Sequence, residues 1–433
     1  MSPSFATVAP EATRPADIRS LVWLVGFSHA TNHFVILIFP AVLLLVSQEF
    51  GLGYAGAGLL ASVALFGYGA GALPAGMLAD RFGAERVLAI WLASGSLACV
   101  GIGLSAGPPA LLVGLAALGL AASLHHPAGS GILVALKRIP GIDLGRAFAL
   151  SGILGNVGLA LAPVVAGTIG AWWGWRAAFL IGAIPGLLLA PPLWLRHPRP
   201  SAESVEPSGA PARPRPGLWA AMTLPLLILF SYETLLGFIF QGFSTFLPAY
   251  LAEHASIPGL TASRVAKGGS LASLALLFGG LGHWVAGRLM SRARRELTFL
   301  AAMSGMTICL LGMGVTGGLP LVLCSILFSF GHFALGTISN TFIALHTPPH
   351  AGGTAFGVTF TLALGVGSLA SGAMGLVGQQ HGLPAVFLVL GLVAVGATLL
   401  AGWFGYVVGG WPARRPRTDA AVLSPSRPPA PGR

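Results

Sequence analysis

The chain alternates between long apolar runs and short polar breaks. The runs cover 21–47, 55–79, 86–106, 109–136, 147–171, 175–195, 218–251, 265–290, 297–316, 319–346, 354–378 and 384–410. Each reaches the roughly 20 residues that a helix needs to cross a hydrocarbon layer about 30 Å thick. The pattern predicts an all-α membrane protein with twelve transmembrane helices. The run at 218–251 is long enough to add an interfacial extension. Leu21 to Val46 is too long for the core of a signal peptide, so the first helix is expected to be retained.

The longest interior break is RHPRPSAESVEPSGAPARPRPG, from Arg196 to Gly217. Its Pro, Ser and Ala content predicts an extended linker. It divides the chain into a six-helix bundle at 21–195 and a second at 218–410. A polar segment, 1–20, precedes them, and a Pro- and Arg-rich tail expected to be disordered, 411–433, follows.

Composition supports lipid as the solvent. The chain is 55% hydrophobic and 8% charged, against about 25% charged in soluble domains. Its 62 glycines suit close helix packing, as with Gly67 and Gly71 four apart. Cys99, Cys309 and Cys324 are isolated within apolar runs, with no disulfide or metal-ligand spacing. A net charge of +11 would fit nucleic-acid binding, but 20 of the 23 basic residues fall on one side of the expected membrane. They lie in both terminal segments, the 2–3, 4–5 and 8–9 loops and the linker; Arg176, Arg264 and Lys267 lie on the other side. That asymmetry places both termini and the linker in the cytoplasm, as for a bacterial inner-membrane protein, and nucleic acid is not expected as a partner.

The halves share a pattern. At a constant offset of 211, Leu60, Ala61, Ser62, Ala64 and Leu65 match Leu271, Ala272, Ser273, Ala275 and Leu276. Gly69, Gly71, Gly76, Leu78 and Arg81 match Gly280, Gly282, Gly287, Leu289 and Arg292. At offset 208, Gly145, Ala147 and Phe148 match Gly353, Ala355 and Phe356, and Gly167, Gly170 and Gly174 match Gly375, Gly378 and Gly382. A parallel duplication of six helices relates the halves by a pseudo-two-fold axis along the membrane normal. Such halves rock about a site at their interface.

Ionisable and strongly polar groups are costly in lipid, so each one inside a run is a candidate. They are His29, Asn32 and His33 in the first run, His125 and His126 in the fourth, Glu233 and Gln241 in the seventh, and His332 and Asn340 in the tenth. At 1.5 Å per residue the histidines and Glu233 lie roughly 12–22 Å from the basic side, near mid-membrane. His29 and His33, four apart, share a helix face, and Asn32 joins them. Histidine titrates near neutrality and carries protons. Glu233 is the one acid well inside a run and would alternate between a proton and a cationic group. The i, i+4 histidines also suit a metal, but no acidic or Cys cluster accompanies them, so neither a metal nor a cofactor is expected.

GMLADRFGAER, residues 76–86, resembles the 2–3 loop signature of the major facilitator superfamily, with Gly76, Leu78, Asp80, Arg81 and Gly83 matching and Arg86 slightly late. Ser291 replaces the Asp in the second half. The resemblance extends over 21–410 and implies two pseudo-symmetric six-helix bundles around a cavity lined by helices one, four, seven and ten. It also implies alternating access, with Asp80 docking on the N-terminus of helix eleven, near Gly352 to Thr354, to latch the cytoplasmic gate. GNVGLALAPVVAG (155–167) looks like a loose fifth-helix antiporter signature. SHATNHF (28–34) and LHHPAGSG (124–131) are similar to the fosmidomycin resistance proteins, a drug-efflux group, with His33 where that group carries an acid.

No G-x-x-x-x-G-K-[ST] loop is present, so ATP is not expected to drive the protein directly. No nucleophile–base pattern suggests an enzyme. The expectation is a monomeric secondary transporter exporting a small organic molecule or drug in exchange for protons. Proton-coupled uptake of a metabolite is the alternative. A non-transporting receptor on the same fold is the reading from another class, and no large soluble domain supports it.

Overall fold

Proline sets where the first half bends. A proline lacks an N–H and its ring crowds the carbonyl four residues back. In the computed structural model the first span breaks into α1 (Pro15–Ile36) and α2 (Ile38–Phe50), four residues ahead of Pro40. The second breaks into α3 (Tyr54–Ala70) and α4 (Ala72–Phe82), four residues ahead of Pro74, with a 43° bend. The fourth, α6 (Pro108–Ala122) and α7 (His125–Ala135), breaks ahead of Pro127. The sixth, α9 (Trp175–Gly182) and α10 (Ile184–Trp194), breaks ahead of Pro185. The third and fifth are single helices, α5 (Ala84–Gly103) and α8 (Leu144–Trp173).

The second half bends by other means. α11 (Leu224–His254) runs through Pro248 unbroken. α12 (Arg264–Leu277) and α13 (Gly279–Leu289) part at Phe278, before the Gly279–Gly280 pair. α14 (Arg295–Val315) and α15 (Gly318–His346) are continuous. The eleventh span is α16 (Gly352–Phe360), a π-helical turn (Thr361–Val366) and α17 (Leu369–His381); α18 (Leu383–Gly409) is last. Among the described residues eleven helices are long and apolar enough to span a membrane, twelve spans with the bent α3–α4 pair. The runs therefore give the spans, while six of the twelve that read as unbroken are interrupted.

The described residues are 15–136, 139, 144–196, 222–257, 262–290, 294–347 and 352–409. Most of the expected linker, the tail and the first fourteen residues lie outside them. No strand occurs among the described residues.

Helices α1–α10 pack mainly with one another, as do α11–α18; the broad contacts between the groups are α3 on α17 and α8 on α12. Backbones meet directly there. A Cβ on Gly58 would collide with the Ser371 carbonyl, and one on Gly69 with Gly365. Polar links close the end away from the termini. Tyr54 donates to Glu253 Oε1 at 2.6 Å, the Ala55 N–H donates to Gln379 Oε1 at 3.1 Å, and Arg264 lies 3.8 Å from Glu253. On the same end Arg176 pairs with Glu49 at 2.7 Å within the first half. At the basic end Gly83 turns the chain from α4 into α5 at φ 90°, a conformation that favours glycine.

Candidate functional site

Five of the nine candidates come together. α1 brings His29, Asn32 and His33, and α7 brings His125 and His126 from the broken fourth span. The His29 ring lies 4.8 Å from His33, 4.9 Å from His125 and 5.2 Å from His126, centroid to centroid. His125 is fully buried, and the other three are half-buried. A cavity of about 160 Å³ lies against His29, His125 and His126, with Phe148, Ser151 and Gly152 of α8 on its far wall.

The hydrogen bonds fix several protons. His29 Nδ1 lies 2.9 Å from the Ser151 carbonyl, which only accepts, so Nδ1 carries the proton and Nε2 is left as a lone pair in the neutral ring. His29 Nε2 faces His33 Nε2 at 3.0 Å, so in the neutral pair His33 donates. Asn32 donates to the Ala122 carbonyl at 2.9 Å and accepts from Tyr68 at 2.7 Å. The Tyr68 oxygen is also 2.7 Å from His126 Nε2. Its one hydrogen goes to Asn32, so it accepts from His126 Nε2–H, leaving His126 Nδ1 without a proton. His125 Nδ1 is 3.1 Å from Ser28 Oγ, which also accepts from Trp91 at 3.2 Å.

One aromatic reaches this tetrad from the other half. Phe360, at the end of α16, stacks on His126 with centroids 5.6 Å apart and planes 8° apart. Sequence reasoning missed Tyr68, Ser28, Ser151 and Phe360. A mid-run tyrosine was a signal for Tyr68; a Phe or Ser in an apolar run carries none.

The remaining candidates lie apart from the tetrad, in the second half. Glu233 on α11 is buried, and its Oε1 has no hydrogen-bond partner. His332 on α15 lies flat on Phe240, 4.3 Å away with planes 7° apart, near Phe328 and Phe333, and its buried Nδ1 is unpartnered. Gln241 is buried where α11 meets α17, its carbonyl accepting from Ser371. Asn340 is exposed on α15. Of the gate motif, Asp80, Arg81 and Arg86 are exposed beside Gly83, and Gly76 lies on α4 where it packs on α7. The expected latch partner, the backbone at Gly352 to Thr354, forms the start of α16.

Residues 22–372 match the Major Facilitator Superfamily. A gallate transporter from Pseudomonas putida is 27% identical over 390 residues, 81% of this chain and 84% of that one. A 3-(3-hydroxy-phenyl)propionate transporter from Escherichia coli (strain K12) is 30% identical over 277 residues, 62% of this chain and 64% of that one. Among solved structures, an inward-facing bacterial homolog of the human lysosomal transporter Spinster aligns with a TM-score of 0.73 at 17% identity, covering 89% of this chain and 96% of that one. With five of its nine polar candidates gathered in one half of a two-bundle, twelve-span fold, and with these likenesses, the chain belongs to the Major Facilitator Superfamily and is a secondary transporter rather than an enzyme.

Proposed function

We propose that the protein takes up a small aromatic or cyclic carboxylate together with protons. The observation that carries this reading is the tetrad His29, His33, His125 and His126 with Phe360 stacked on His126 from the opposite half. A protonated imidazole binds a carboxylate, and an aromatic face binds a ring. The substrates named for the relatives, gallate and 3-(3-hydroxy-phenyl)propionate, are aromatic carboxylates.

Direction follows from the sign of the coupling. A proton on a histidine creates the charge that holds an anion, so proton and anion bind cooperatively and move the same way. A proton on a carboxylate such as Glu233 expels a cation, which is the logic of exchange. Four histidines against one buried carboxyl favour co-transport, and we place uptake ahead of drug export on that ground. The asymmetry of Lys and Arg supports a cytoplasmic basic end. Contacts concentrated at the opposite end then suit a state closed to the outside. Buried Glu233, with one oxygen unpartnered, is the second proton carrier.

Proteoliposomes loaded at neutral pH and diluted into acidic buffer test the reading with radiolabelled gallate and 3-hydroxybenzoate. Accumulation should rise with the inward proton gradient and collapse with a protonophore. Uptake indifferent to the gradient, or accumulation driven only by an outward one, would overturn it.

A further inference from the structure

We infer that His29, His125 and His126 form a binding site for a divalent transition-metal ion, with His33 positioned as a fourth ligand. This inference does not rest on the transport reading.

One nitrogen from each of His29, His125 and His126 lies within 4.8 Å of the others. Zn–N bonds of 2.0–2.1 Å place tetrahedral ligands about 3.3 Å apart, so ring movements on the order of 1 Å close the triad on one ion. The His29 Nε2–His33 Nε2 separation of 3.0 Å is already near that ligand–ligand spacing. The two are four apart on one helix, the arrangement by which a helical His pair grips zinc.

The outer contacts are stronger evidence than the distances. A metal-binding imidazole commonly gives its second N–H to a carbonyl, hydroxyl or carboxylate, which fixes its orientation. Each ring of the triad has such a partner. His29 Nδ1 donates to the Ser151 carbonyl, and its Nε2 is the free pair. His126 Nε2 donates to Tyr68, whose own hydrogen is committed to Asn32, and its Nδ1 is the free pair. His125 Nδ1 rests on Ser28 Oγ, which Trp91 holds, leaving Nε2. On binding, the proton between His29 and His33 moves to His33 Nδ1, and both Nε2 atoms face the ion. Gly155 sets the depth of the site, because a Cβ there would lie 2.7 Å from His29 Cε1 and displace the ring. The cavity of about 160 Å³ beside the triad has room for water on the ion.

An all-imidazole site without Cys or carboxylate suits Zn²⁺, Co²⁺, Ni²⁺ or Cu²⁺ and excludes Mg²⁺ and Ca²⁺, which take oxygen ligands. The ion occupies the lone pairs that protons would use, so metal and proton compete there.

The test uses the full chain in nanodiscs, purified on a tag without histidine and titrated with CoCl₂ in the absence of substrate or pH gradient. One Co²⁺ per chain with the intense visible bands of tetrahedral coordination is expected, displaced by ZnCl₂ and not by MgCl₂. His126→Ala should abolish the bands. Tyr68→Phe and Gly155→Ala, which leave all three ligands in place, should weaken binding about 10- to 100-fold. His283→Ala, bonded to Thr337 elsewhere, should bind as the parent does. Weak octahedral bands only, or equal binding by the His126→Ala, Tyr68→Phe and Gly155→Ala proteins, would overturn the site. If the His126→Ala protein does not fold, the two ligand-sparing variants decide. Failure of proton-driven uptake would leave the cobalt bands unchanged, so the two readings fail separately.

Discussion

Ser62 and Ser273 each accept a backbone N–H from the opposite half: Gly372 gives its proton to Ser62 Oγ, and Val164 gives its proton to Ser273 Oγ, both at 2.8 Å. The serines are related by the offset of 211 and the donors by 208, so the two bonds are copies made by the duplication. Ser62 also donates to the Ser368 carbonyl at 2.7 Å. Its hydroxyl thus sits between a carbonyl and the N–H four residues on, inside the helical ladder of the eleventh span.

Removing these hydroxyls should loosen the joined end. Each bond is worth about 1 kcal/mol, so Ser62→Ala with Ser273→Ala should shift the balance toward opening roughly thirtyfold. Spin labels at Gln48 and Gln380 would report a longer-distance population in the double variant. Distance distributions identical to the parent's would count against the bonds as a gate.

Asn32 ties three elements together, and its loss should be felt as stability. Asn32→Ala leaves the Ala122 carbonyl without its donor and Tyr68 without its acceptor. Leaving buried groups unpaired costs about 1–3 kcal/mol. Thermal unfolding in detergent should move down measurably; an unchanged midpoint would mean that water replaces the amide.

Glu233→Gln keeps the shape and removes the ionisable group. Equilibrium binding of an aromatic carboxylate should stay within a fewfold of the parent, while stimulation of uptake by an inward proton gradient should fall. A gradient response equal to the parent's would remove Glu233 from the coupling scheme.

Asp80→Asn tests the latch. A carboxylate at a helix N-terminus is held by the unpaired N–H groups there, and an amide is held less well. Transport should slow by about twofold to thirtyfold with substrate affinity intact, as a loss of 0.3–2 kcal/mol would give. A parental rate in vesicles would discard the latch and leave the fold assignment untouched.

The spans and the pairing of Ser62 with Ser273 were legible because lipid forces long apolar runs and duplication leaves an offset. The meeting of His29 and His33 with His125 and His126 was legible as cost and depth, since charged groups in lipid need a cavity. It was not legible that the tetrad would lie on one side of the interface, with Glu233 and His332 apart from it. Depth along a helix is written in residue number, but the face a residue presents depends on packing. Phe360 and Ser151 act through position alone, and nothing in their local sequence sets them apart from other membrane Phe and Ser. No Cys or acid accompanies the rings in the sequence; the metal geometry rests on the carbonyl, hydroxyl and phenol behind them, which only the folded chain reveals.

The way the spans are broken has a mechanical consequence. Four interruptions in the first half lie just ahead of Pro40, Pro74, Pro127 and Pro185, where the missing N–H and the crowding ring remove a ladder bond. The eleventh span is interrupted instead by a π-helical turn, where one register shift of the backbone would restore the ordinary winding. The duplicated halves are thus interrupted by different means: proline writes the breaks of the first into its sequence, while the eleventh span of the second carries a π-helical turn that a shift of backbone register would remove.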